Sequence, residues 1–204
     1  MNRPSHDESF FSVPRACVSL WRRVSAAFVI FLLLCPFHVS AQQTKASENA
    51  VKATYLYNFG RFVQWPTDAA TAKGNSFPIC ILGEDPFGAV LDSILSGESI
   101  DGKTVVAKRV SKSQETLDCR VLYISSSEDS RLKEILAGVD NAAVLTVSDI
   151  PQFSQRGGMI QFVLAGNKIR FEVNLTNAQT AGLTMSSDLL KVAVAVRKSP
   201  QPGD

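Results

Sequence analysis

The chain has 204 residues, with 21 Lys and Arg against 19 Asp and Glu, a formal charge of +2, two histidines and four cysteines. A near-neutral chain without long basic runs argues against nucleic acid as a partner, because phosphate binding needs clustered Lys and Arg. Both histidines, His6 and His38, precede residue 42, so the rest of the chain excludes a Ser-His or Cys-His hydrolase and any histidine-ligated metal centre.

Residues 1–41 read as a secretory signal peptide. Arg22 and Arg23 end a basic region, 24–34 is apolar, and Val39-Ser40-Ala41 is a small-residue exit. An uncleaved anchor is the alternative, but the apolar run falls short of the roughly 20 residues that span a bilayer. Pro36 and His38 also interrupt its far end. A lipoprotein reading at Cys35 is disfavoured by the bulky Leu34 before it. Cleavage after Ala41 would leave 163 residues, with 17 basic against 17 acidic side chains and Cys80 and Cys119 as the only thiols. That length suits one domain with a real core, placed at 42–198.

Residues 42–46 are polar and expected to fray. A helix is predicted over 47–65, where Val51, Tyr55, Leu56, Phe59, Phe62 and Val63 follow spacings of three and four. Pro66 stops it, and 67–75 reads as a loop. A short apolar strand over 77–82 ends at Gly83. Asp85 and Pro86 then suit the N-cap and first position of a helix carrying Phe87, Val90, Leu91, Ile94 and Leu95 on one side. Strands are predicted over 103–110 and 119–124. Ser125, Ser126 and Ser127 precede a charged helix with Leu132, Ile135 and Leu136 inward, and a fourth strand covers 142–147.

Gly157-Gly158 leads into a hairpin turning at Gly166-Asn167, where positive φ is needed. Ile160, Phe162 and Leu164 share one face of its first strand, and Ile169, Phe171 and Val173 one face of its second. A closing helix is predicted over 186–197, apolar at Leu189, Leu190, Ala193, Val194 and Val196, with a tail at 199–204. The whole is an α/β sandwich with a mixed sheet flanked by helices. The uninterrupted apolar runs 79–82 and 121–124 mark its central strands.

Several arrangements resemble chemistry and have simpler explanations. Gly83 and Gly88 lie five apart after a strand, but Ala89-Val90 stands where a phosphate loop needs Lys and Ser or Thr. The carboxylate pairs Glu84-Asp85 and Glu128-Asp129 sit at helix starts, where the helix dipole stabilises acids. Ser186 and Ser187 near Lys191 read as a helix cap. No catalytic residue, metal site or cofactor is expected. Cys80 and Cys119, 39 positions apart in an exported chain, invite a disulfide, with two separate buried thiols as the alternative. Tyr55, Tyr57, Phe59, Phe62 and Trp65 crowd one helix. Most belong to the core, while Tyr57 and Trp65 are of the types that anchor partners if exposed.

Lys52 to Phe59 (KATYLYNF), Arg61-Phe62-Val63 and Trp65-Pro66 resemble the opening signature of the YfiR family. The likeness continues through 77–83, 119–124, 145–149, Phe153, 157–160, 170–174, Gly182-Leu183 and 186–191. It implies a Rossmann-like α/β domain in the periplasm without catalytic activity. The family's prototype represses an inner-membrane diguanylate cyclase by binding its periplasmic sensor part, and an outer-membrane lipoprotein sequesters it. Cys80 and Cys119 fit one of the prototype's disulfides; a second pair near the hairpin has no counterpart here. On this reading Tyr57, Arg61, Trp65 and Arg170 are the partner contacts. For Arg170 the simpler alternative is a strand-face salt bridge with Glu172 or a neighbour. Pairing with a second copy of the chain stays open. The rival function is a periplasmic small-ligand binder with a deep pocket at the strand ends, lined by several of the same aromatics.

Overall fold

The structure, a computed structural model, describes residues 40–66 and 74–198, with side chains from residue 45 onward. The leader before residue 40, most of the loop after Pro66 and the tail at 199–204 lie outside the described residues.

Helix α1 (Ser40–Phe62) begins earlier than the sequence suggests, so the stretch expected to fray is helical. It passes into β1 (Val63–Gln64), then β2 (Ser76–Leu82) and α2 (Ala89–Leu95). β3 (Ser99–Ile100), β4 (Lys103–Val110) and a 3-10 turn (Ser113–Asp118) lead to β5 (Val121–Ile124). A second 3-10 turn (Ser126–Arg131) runs into α3 (Leu132–Gly138), followed by β6 (Leu145–Ser148). β7 (Ile160–Ala165) and β8 (Lys168–Asn174) form the predicted hairpin, with Gly166 and Asn167 at φ of 56° and 57°. After it come α4 (Leu175–Thr180), β9 (Thr184–Met185), α5 (Ser187–Val192) and β10 (Ala195–Arg197).

Eight strands form one sheet in the order β10-β8-β7-β6-β5-β2-β4-β3. The inner run from β4 through β7 is parallel, β8 and β3 are antiparallel to their inner neighbours, and β10 runs parallel to β8. This is the mixed, Rossmann-like α/β sheet that the apolar runs predict, with β2 and β5 adjacent at its centre. Alternation divides the core between two faces. Ile79, Ile81, Val121, Tyr123, Phe162 and Phe171 pack toward α1 and α2. Cys80, Leu82, Leu122 and Ile124 pack toward α3, Ile150 and Phe153.

Three expectations need correcting. The buried stripe of α1 is Ala53, Leu56, Phe59 and Val63, while Val51 and Phe62 are exposed, so the helix is rotated from the face first drawn. Gly60 lets α1 settle onto β2, since a Cβ there would stand 2.7 Å from Ile100 and 3.0 Å from Phe77. The closing helix is short. It stops at Val192, and the next residues extend as β10 because Val194 N–H donates to the Phe171 carbonyl at 2.9 Å. Leu164, expected on the core face, is 60% exposed beyond the end of α1's cover.

Cys80 and Cys119 are disulfide-bonded, with Cα atoms 5.8 Å apart. Both are fully buried on the α3 face. The second glycine of Gly157-Gly158 is held by packing. A Cβ on Gly158 would lie 2.0 Å from the ring of Phe153, itself fully buried. Gly158→Ala is expected to destabilise by about 3 kcal/mol, at the upper end of ordinary overpacking. Gly138→Ala, whose Cβ meets nothing, should stay within about 1 kcal/mol of the parent. Equal urea midpoints for the two variants would contradict this account.

Candidate functional site

Two regions carry exposed, organised polar chemistry. The first is the carboxyl end of α1. Tyr57 Oη donates to Glu98 Oε2, and that bond, followed by burial, raises the phenol's pKa. The exposed Arg61 guanidinium lies 5.8 Å from the Tyr57 ring centre, one helical turn on, within range for a cation–π contact. Trp65 is half-buried, edge-on to Phe77 at 5.2 Å, with the Arg120 guanidinium 6.0 Å from its ring. Its Nε1 is buried without a hydrogen-bond partner among the described residues. Burial lowers the pKa of Arg120, opposed by Asp101. β1 fixes this end of the helix by pairing with β9, and Ser186 N–H donates to the Phe62 carbonyl at 2.9 Å.

Arg170 lies elsewhere. It alternates with Phe171, which packs toward α1, so Arg170 belongs to the opposite face of β8 and is exposed there. It forms no ion pair among the described residues, and Glu172 instead takes Arg197 Nη2 at 3.4 Å. The alternative pairing of Arg170 with Glu172 is therefore corrected. The fold joins Tyr57 to Arg61, puts Trp65 just beyond them, and separates Arg170 from all three.

The second region lies at the strand ends, where the small-ligand reading puts its pocket, but none of the aromatics of α1 lines it. β2 leads through α2 to β4 on one side, while β5 lies on its other side, so the strand order reverses between β2 and β5. In open α/β sheets the crevice outside the carboxyl ends at such a reversal is the usual ligand position. Here it is a cavity of about 390 Å³ lined by the loop after β2, the loops after β5 and β6, and α1. Lys45, Glu48, Asn49 and Lys52 stand on one face of the helix at offsets of zero, three, four and seven.

Two contacts fasten α1 over this crevice. Lys52 Nζ lies 2.6 Å from Asp149 Oδ2, and Asn49 Nδ2 donates to the Pro86 carbonyl at 2.7 Å. The other oxygen of Asp149, Oδ1, is buried. Beside it Tyr123 is 1% exposed, its ring 4.8 Å from that of Phe87. Burial, reinforced by the neighbouring Asp149 carboxylate, pushes this phenol far above its ordinary range.

Asp85 does not cap α2, which begins four residues later at Ala89. Its Oδ1 accepts from the N–H groups of Phe87 and Gly88 at 2.8 and 3.2 Å, shaping a turn, and its Oδ2 accepts from Arg109 Nε at 2.9 Å. Burial raises the Asp85 carboxyl, but those N–H groups and Arg109 outweigh it and hold the pKa below the usual value. Arg109 also grips both oxygens of Asp92, which fixes the loop from outside. Glu128 and Asp129 pair with Arg131 and Arg156 at 3.2 and 2.6 Å, and Ser186 caps α5, as structural roles require. No group of three His, Cys, Asp or Glu able to hold a metal ion is found among the described residues.

The sequence points to a pocket at the strand ends but not to the residues that line it, because Lys52 and Asp149 are 97 positions apart. The only local signal was the Lys45, Glu48, Lys52 spacing on one helical face, which is also the pattern of a solvated face.

Similar solved structures include an ABC domain in complex with L-Trp from Streptococcus pneumonia, 13% identical, with a TM-score of 0.49. A conserved domain protein from Vibrio cholerae is 12% identical, with a TM-score of 0.48. Each alignment covers 71% of this chain and 60% of the other, so the chain spans less than two thirds of their length. Among the described residues no helix is long and apolar enough to cross a membrane. The family described as YfiR/HmsC-like is periplasmic, regulatory and non-catalytic, and it acts in cyclic-di-GMP signalling. Its match runs over residues 49–194, from the first half of α1 to the turn before β10, and the chain belongs to this YfiR/HmsC-like family.

Proposed function

We propose that this chain is an exported regulator that represses an inner-membrane diguanylate cyclase by binding its periplasmic sensor part, with Arg61 at the centre of the contact. The observation that supports this reading is the exposed Arg61 stacked on Tyr57, itself held by Glu98. Such a pre-positioned cation and aromatic pair is the side-chain type on which interfaces concentrate their energy. Repression needs a surface that occludes or traps the sensor, and no catalytic group. Trp65 extends the surface past the helix end. Arg170, on the other face of the sheet, would serve a separate contact, such as a sequestering outer-membrane lipoprotein or a second copy of the chain.

The test is recovery of membrane proteins on the tagged chain from detergent-solubilised inner membranes of the source cells, identified by mass spectrometry. The parent chain is expected to recover a diguanylate cyclase. Arg61→Glu should recover it about thirtyfold less well, the size of a hot-spot loss near 2 kcal/mol. Undiminished capture by Arg61→Glu would remove this surface from the proposal. A second reading, small-ligand binding, is favoured by one specific observation, the cavity at the strand-order reversal.

A further inference from the structure

The early turns of α1 are held differently from the rest of the helix. From Ala53 onward the helix is seated in the core, where Ala53, Leu56 and Phe59 have no exposed surface. Over 45–52 no residue is buried, and Val51, the one large apolar side chain of that stretch, is 44% exposed. The stretch is also undercut on two sides. Lys45, Asn49 and Lys52 line the crevice at the strand-order reversal. Ser47 and Val51 line a second cavity of about 390 Å³, shared with the hairpin turn at Asn167 and Lys168. Glu48 lines both, so this part of the helix is the partition between them.

With little apolar burial to fix it, such a stretch belongs to the least stable part of a fold, and polar contacts hold it instead. Lys52 reaches Asp149 beyond β6 at 2.6 Å, and Asn49 reaches the Pro86 carbonyl beyond β2 at 2.7 Å. At the junction with the seated part, the Thr54 hydroxyl donates to the Ala50 carbonyl at 2.9 Å. A hydroxyl bonded back along a helix in this way weakens it slightly and favours a bend there.

We propose that residues 45–52 form a latched flap, which swings off the crevice about the Ala50–Thr54 turn while α1 from Leu56 onward stays seated. The Lys52–Asp149 ion pair is the latch, and Asn49 supports it. The pair is suited to release, because its side chains are 12% and 27% exposed and both charges regain water as they part. Opening removes the wall common to the two cavities, joins them, and uncovers Tyr123, which is 1% exposed with the flap closed. Arg61 lies on the seated part, so the flap moves without disturbing the proposed partner surface. The motion requires neither the cyclase-binding nor the ligand-binding reading, and its test is separate from theirs.

The experiment is amide hydrogen exchange of the full chain, read residue by residue by NMR. Amides over 45–52 are expected to exchange at least about tenfold faster than those over 57–62, yet more slowly than in an unfolded chain. Lys52→Met keeps the apolar stem and removes the ammonium, and Asp149→Asn keeps the shape and removes the charge. Each should speed exchange over 45–52 about tenfold, as the loss of one hydrogen bond between charged groups would, and leave 57–62 unchanged. The double variant should go no further than either single one, since both remove the same pair. Rates over 45–52 that the variants leave unchanged, or that already match an unfolded chain in the parent, would mean that the pair latches nothing. Acceleration spread evenly from 45 to 62 would make α1 a single body and overturn the flap. A double variant that adds the two single effects would overturn the ion pair as its latch.

Discussion

Phe59→Ala is expected to lower stability by about 3–5 kcal/mol, the range for emptying a fully buried aromatic position. Phe59 has no exposed surface and is the point where α1 meets the hairpin. Its ring stacks on Tyr55 and Phe162 at 5.8 Å each and meets Phe171 edge-on at 5.1 Å. Truncation removes three aromatic contacts along with the buried area, and each such contact adds about 0.5–1.5 kcal/mol beyond burial. In a domain of this size the melting temperature should fall by about 10 °C. Phe62, three positions on and 40% exposed, serves as the comparison. Phe62→Ala should cost less than about 1 kcal/mol. Similar melting temperatures for the two variants would mean that α1 is seated on a different face from the one described.

The disulfide carries the second large effect. Cys80 lies in β2, and Cys119 stands just before β5, the strand beside it. Bridging positions 39 apart restricts the unfolded chain by about 4 kcal/mol in the chain-entropy account. Cys80→Ala/Cys119→Ala should therefore lose about 4 kcal/mol of unfolding free energy, and dithiothreitol should bring the parent to the same value. The measurement is a pair of urea curves with and without reductant. Coincident curves would show that the unfolded chain is already constrained between these positions. The hydrogen bond from Arg120 N–H to the Pro78 carbonyl, at 2.9 Å, keeps the two strands in register when the sulfurs part, so the reduced protein is expected to stay folded with a lower midpoint.

The centre of the sheet was legible because Ile79 to Leu82 and Val121 to Ile124 are continuous apolar runs, and only burial on both faces explains such runs. The hairpin was legible from Gly166-Asn167, where local turn chemistry fixes the answer. The end of the chain was not. Val192, Ala193, Val194, Ala195 and Val196 satisfy a helical stripe and a strand alternation equally well. The choice was made by a remote partner, the free edge of β8. The same holds at the functional level. Tyr57 and Arg61 stand one helical turn apart, so their contact needs only the helix itself. Lys52 with Asp149, and Asp85 with Arg109, meet only through the order of strands. A crevice assembled from single polar residues on four segments leaves no local pattern to find.

The lateral limits of the eight-stranded sheet are strands of two and three residues, β3 and β10. A short terminal strand gives a passing chain few backbone groups in line to pair with, which limits sideways growth where β3 covers Lys103 and Thr104 and where β10 covers Glu172 to Asn174. That cover is thin on one side. The family match stops at residue 194, one residue before β10 begins, so a boundary drawn there would strip off Ala195 to Arg197 and lay open all seven residues of β8. Three residues that add almost nothing to the core thus decide how much of the β8 edge is open to another strand.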